Sequence, residues 1–194
     1  MKHRLPLVTA LLLAGTAFAA VDISKLPAGV RRIERIKDAQ AEARQQKKAL
    51  MFALSEMTPK GGGKGNAFVL GATQQLIQKM RGLCVVVFVD FTNDRAKLAK
   101  VLPKIDAAFD SEAAKGPIPR TVVTDAAAEK IYAIIPYAPA GPFGEEMIKE
   151  AKQKIQDGLA GKTVTDDVGI PGEKNREIAA PPSGKKKKKP NNDN

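Results

Sequence analysis

The sequence predicts an α/β domain with a mixed central sheet flanked by helices, and three observations carry that reading. Residues 83–91, Leu-Cys-Val-Val-Val-Phe-Val-Asp-Phe, are a nearly continuous apolar run rich in β-branched side chains. That is the composition of a strand buried on both faces, as in a central parallel strand. Residues 31–44 and 143–159 space their apolar residues three and four apart, the period of a helix with one buried face. Residues 119–124 and 130–135 are two short apolar runs five residues apart, close enough to pair antiparallel.

Taken in order, Val30, Ile33, Ile36, Ala39 and Ala43 predict a first helix over 31–44, with Arg, Glu, Lys and Gln between them. Gln45 to Lys48 is a polar turn, and Ala49 to Leu54 has the length of a buried strand. Thr58-Pro59-Lys60-Gly61-Gly62-Gly63-Lys64-Gly65 is a loop by composition, since no regular element survives so much glycine and proline. Asn66 then caps a helix through Phe68, Leu70, Leu76, Ile77 and Met80, which Arg81-Gly82 stops. The strand over 83–91 follows. Asn93 or Asp94 caps a helix from Arg95 to about Leu102, and beyond Pro103 a second helical stretch runs from Lys104 to Ala114. The hairpin comes next, and a last helix from Phe143 to Leu159 sets Met147, Ala151 and Ile155 on one face. The strand–helix–strand unit requires a right-handed parallel crossover, and the terminal hairpin makes the sheet mixed.

The two ends read differently from the body. Residues 1–19 form a secretory signal: a basic start at Lys2, His3 and Arg4, an apolar run from Leu5 to Leu13, and Ala17-Phe18-Ala19 before cleavage. The run is too short to span a bilayer, which needs about 20 residues. Thr16 stands where a lipoprotein signal would carry its acylated cysteine. Residues 20–160 are the expected domain. Residues 161–194 are rich in Pro, Gly, Lys, Asn and Asp, and read as a disordered basic tail that ends in the run Lys185, Lys186, Lys187, Lys188, Lys189. The expected location is periplasmic or extracellular, with no membrane-spanning segment. The chain carries 32 basic and 21 acidic residues, a net charge of +11. Such an excess suits an anionic surface or polysaccharide as neighbour, and equally a merely well-solvated protein.

Three segments in this order resemble the thioredoxin family. Lys47-Lys48-Ala49-Leu50-Met51-Phe52-Ala53-Leu54 resembles its polar turn and first strand leading to the active-site loop. Val86-Val87-Phe88-Val89-Asp90-Phe91 is similar to its central strand ending in Val-Asp. Gly116-Pro117-Ile118-Pro119-Arg120-Thr121-Val122-Val123 is similar to the segment bearing its cis-proline, with Pro119 in that role. The resemblance covers roughly residues 37–159 and implies a thioredoxin-like three-layer sandwich. It also implies that Thr58 and Gly61 stand where the family has its two redox cysteines. A threonine hydroxyl neither ionises near neutral pH nor forms a disulfide, so the implied site is degenerate and the dithiol chemistry absent.

Composition excludes more. The chain has one cysteine, Cys84, and one histidine, His3, which lies in the leader. A mature chain without histidine has no Ser-His-Asp triad, no Cys-His pair and no imidazole metal ligand. Cys84 sits inside an apolar strand, where a thiol behaves as a small buried hydrophobe. The glycine loop fails the phosphate-binding pattern, because Lys64 is followed by Gly65 and Asn66. Asp90, Asn93 and Asp94 lack the alternate spacing of a calcium loop, and a helix cap explains them more simply. With no tryptophan and two tyrosines, stacking platforms for nucleic acid are scarce.

The expectation is an exported protein without catalytic residues, cofactor or metal. In the family it resembles, partners dock beside the cis-proline loop. Here that points to a groove near Thr58, Lys60, Ile118, Pro119 and Arg120, binding a protein or extended peptide of the cell envelope. The alternatives are a polyanion or cell-surface binder acting through Lys185–Lys189, and a single-thiol oxidoreductase using Cys84.

Overall fold

A computed structural model describes residues 23–57, 65–138 and 141–164. The signal segment, the loop positions Thr58, Lys60 and Gly61, and the lysine run 185–189 lie outside the described residues. Five strands form one sheet: β1 (Arg31–Arg32), β2 (Ala49–Ser55), β3 (Cys84–Asp90), β4 (Arg120–Thr124) and β5 (Ile131–Ile135). Their order across the sheet is β1-β3-β2-β4-β5, with β1, β3 and β2 parallel and the last two antiparallel to their neighbours. Among the described residues, five helices cover it: α1 (Ile36–Gln46), α2 (Gly65–Met80), α3 (Arg95–Val101), α4 (Pro103–Phe109) and α5 (Pro142–Leu159). This is the three-layer, thioredoxin-like α/β sandwich that the sequence predicts.

The layers follow from the period-two alternation of the strands. Ala49, Met51 and Ala53 of β2 and Cys84, Val86 and Phe88 of β3 meet Leu76, Ile77 and Met80 of α2 and Ile148, Ala151 and Ile155 of α5. The intervening Leu50, Phe52, Leu54, Val85, Val87 and Val89 face α1, α3 and α4 through Ala39, Ala43, Leu98, Ile105 and Phe109. Every residue of β2 and β3 is buried, as continuous apolarity requires. Among the described residues, no helix is long and apolar enough to cross a membrane.

The first predicted helix needs correction. Arg31 and Arg32 are a short strand beside Val87 and Phe88, residues 33–35 form a 3₁₀ turn, and the α-helix starts at Ile36. Val30 and Ile33, whose spacing suggests one helical face, pack on opposite sides of the sheet. α1 ends in a left-handed residue, Lys47 at φ 53°, whose N–H bonds back to Ala43 and Arg44. The helix beyond Pro103 is also shorter than predicted. It closes at Phe109, where the Asp110 N–H and the Ser111 hydroxyl turn back onto Ala107 and Ala108, and residues 112–114 are a separate 3₁₀ turn.

Candidate functional site

The strand register gathers one set of residues at one end of the sheet. Ser55, last in β2, pairs with Asp90, last in β3. Leu54 pairs with Arg120, so extending that register by one residue sets Pro119 opposite Ser55. Asp90, Ser55 and Pro119 therefore stand side by side, three residues before Thr58. The Ile118–Pro119 peptide bond is cis. Pro119 is buried, Ile118 half-buried and Pro117 exposed, so this turn presents backbone and an aliphatic side chain at the sheet end.

Arg120 holds that turn together. Its Nε donates to the Gly116 carbonyl at 2.8 Å and its Nη1 to the Phe109 carbonyl at 3.1 Å. The guanidinium thus ties the proline turn to the end of α4. Ser55 and Thr73 are both fully buried and share a 2.7 Å hydrogen bond. The Thr73 hydroxyl donates to the Val69 carbonyl at 2.7 Å, which leaves Ser55 as donor in the pair. Among the described residues, both hydroxyls are thus engaged with each other and the Val69 carbonyl.

Asp90, fully buried, organises the other flank. Its Oδ1 accepts from the backbone N–H groups of Thr92 and Asn93 at 3.1 and 3.0 Å and from the Asn93 amide at 2.8 Å. Its Oδ2 accepts the Met57 N–H at 3.1 Å, fixing the chain one residue before Thr58. Sequence reasoning saw Asp90 as a strand end and missed this clamp. The signal was present in Asp-Phe-Thr-Asn, the pattern of an aspartate bonding to N–H groups just downstream.

The capping expectation for Asn93 and Asp94 also needs correction. Asp94 occupies the N-cap of α3 but makes no capping hydrogen bond. Its Oδ2 accepts the Asp90 N–H at 3.0 Å instead, a buried donor at the strand end that would otherwise go unpaired. Its buried Oδ1 lies 3.5 Å from Lys97 Nζ and 4.0 Å from Arg32 Nη2. These carboxylates answer to backbone donors and cations, and no group of three or more His, Cys, Asp or Glu that could hold a metal ion occurs among the described residues.

Cys84 opens β3 at the opposite end. Asp90 stands six positions further on, about 20 Å along a strand. It is 3% exposed. Burial pushes its thiol up to about 12 against a weak opposing pull from Lys48. Such a thiol is protonated at neutral pH and far from the proline turn.

No protein-family model matches the chain, and no curated protein matches its sequence. Several solved structures are similar to it, two of them as follows. A poplar thioredoxin h mutant is 15% identical with a TM-score of 0.39, the match covering 77% of this chain and 97% of that one. The disulphide isomerase from Xylella fastidiosa Temecula1 is 15% identical with a TM-score of 0.32, the match covering 66% of this chain and 88% of that one.

Proposed function

We propose that this protein is an exported, redox-inactive module of thioredoxin-like fold that binds a protein or extended peptide of the cell envelope without catalysing its reaction. The observation that carries this reading is the position of the chain's single thiol. Cys84 is buried at the end of β3 remote from the proline turn, so the sheet end where strand termini and loop converge has no cysteine to use. What that end does offer is recognition chemistry. Ile118 and the 45%-exposed Phe91 give apolar contact, and the turn at Pro117–Pro119 gives backbone groups that an extended chain can pair with.

Two measurements test the reading together. The protein should not accelerate reduction of insulin disulfides by dithiothreitol. An array of extended peptides should yield ligands whose amide shift perturbations map to Met57, Phe91 and residues 116–120, with Ile118→Asp weakening them at least about tenfold. Accelerated insulin reduction, or an array that perturbs none of these amides, overturns it.

A further inference from the structure

A groove lies away from the proline turn, between the start of α1 and the seven-residue helix α3. It encloses about 630 Å³, with Ile33, Ile36 and Val101 among its walls and Lys37, Lys97 and Lys100 among its polar lining. Ile33 is buried at its floor, Ile36 is half-buried, and Val101 is 54% exposed.

The charges along the groove are unequally satisfied. Lys97 is bonded to Glu34, and Arg35 to Asp38. Lys37 and Lys100 have no hydrogen bond or ion pair among the described residues, and both are exposed. Lys37 also sits in the first turn of α1, where the helix dipole disfavours a cation, and the N-cap Arg35 supplies no side-chain cap. An anion lying between these groups would meet two unpaired ammoniums and the positive end of a helix, the lining carboxylates Glu34 and Asp38 being paired with Lys97 and Arg35. A cation there would meet the same groups unfavourably.

Shape selects the rest of the ligand. α3 gives a wall of about 10 Å, room for a flexible aliphatic chain but not for the several turns of an amphipathic helix with its own side chains. We propose that this groove binds a single-chain carboxylate amphiphile, its aliphatic part over Ile33, Ile36 and Val101 and its carboxylate at Lys37 and Lys100. This site is independent of the peptide-binding reading.

The test is titration of the ¹⁵N-labelled full chain with sodium decanoate below its micelle concentration, with 1-decanol as the uncharged control. The expected result is saturable shifts confined to the amides of residues 33–38 and 97–101. Val101→Asp should weaken binding at least about tenfold, as should the paired substitution Lys37→Glu with Lys100→Glu. All three positions are exposed, so these variants should fold. Absence of saturation, shifts at another surface, decanol binding as tightly as decanoate, or unchanged affinity in the lysine variant would each overturn the proposal.

Discussion

Gly158 lies so close to Tyr132 that a Cβ there would fall 2.5 Å from Cδ1 and 2.8 Å from Cγ of the ring. Because Cγ is the root of the ring, rotation about the side chain's outer bonds cannot clear the space. Two effects of Gly158→Ala therefore compete. Alanine is favoured over glycine inside a helix by up to about 1 kcal/mol, whereas overpacking a filled contact costs about 1–3 kcal/mol. The second should win, so Gly158→Ala is expected to destabilise the fold by about 1 kcal/mol in urea denaturation. Adding Tyr132→Leu should recover much of that loss if the ring contact is its cause. A single mutant more stable than wild type would show that α5 moves freely on β5. No sequence pattern announces this position, because a glycine near a helix end reads as a stop signal. Here it is a close approach between α5 and β5, visible only once both elements are in place.

At the scale of elements, the two ladder positions of β1 are supplemented by charges clipped across its end. Arg32 and Lys97 each approach both Glu34 and Asp94, joining β1 and its 3₁₀ turn to the β3–α3 junction. Partial burial would raise the Glu34 carboxyl, but the hydrogen bond from Lys97 and the nearby cations outweigh it and hold the group below its ordinary value of 4.5. A carboxyl whose folded value is depressed contributes stability that is present above its unfolded value and lost as pH falls through the folded one. Since Glu34 and Lys97 are about two-fifths exposed, screening keeps this contribution below about 1 kcal/mol. Glu34→Gln should therefore lower stability slightly at pH 7, and the difference should shrink as pH falls below 4.5 through the depressed folded value, and in high salt. An equal difference at pH 3 and pH 7 would exclude the ion pairs as its source. The same cluster explains why the sequence misreads this region. Val30, Ile33 and Ile36 satisfy a helical period, yet Val30 and Ile33 belong to opposite faces of the sheet. What makes residues 31–32 a strand is a nonlocal pairing with Val87 and Phe88, which local spacing does not encode. The buried runs of β2 and β3 were legible because continuous apolarity has few other solutions.

At the scale of the molecule, the sheet has two chemically different ends. One gathers the termini of β2 and β3 with the proline turn. The segment around Ile118, Pro119 and Arg120 was legible there only through its resemblance to a family's cis-proline segment, whereas Asp90's bond to the Met57 N–H needs the folded register to be seen. The other end holds Cys84 on a strand paired on both sides, by β1 and by β2. Apart from a hollow beside it, reagent can reach its sulfur only when that central ladder opens, and opening it dismantles both hydrophobic layers at once, since β3 contributes to each. Labelling of Cys84 should thus report global unfolding rather than local motion. With a typical domain stability of at least about 5 kcal/mol, native-state labelling should be slower than in denaturant by at least about a thousandfold. Its apparent opening free energy should fall with urea along the same slope as equilibrium unfolding. The roughly 400 Å³ hollow beside Cys84, lined in part by Val30, Lys48 and Arg81, offers the one structural route around this expectation among the described pockets. A labelling free energy well below the global value, independent of urea, would mean that this hollow admits reagent to the native thiol. It would also return Cys84 to consideration as a reactive group. Coincidence of the two free energies would make the lone cysteine a core residue whose accessibility measures the stability of the whole sheet.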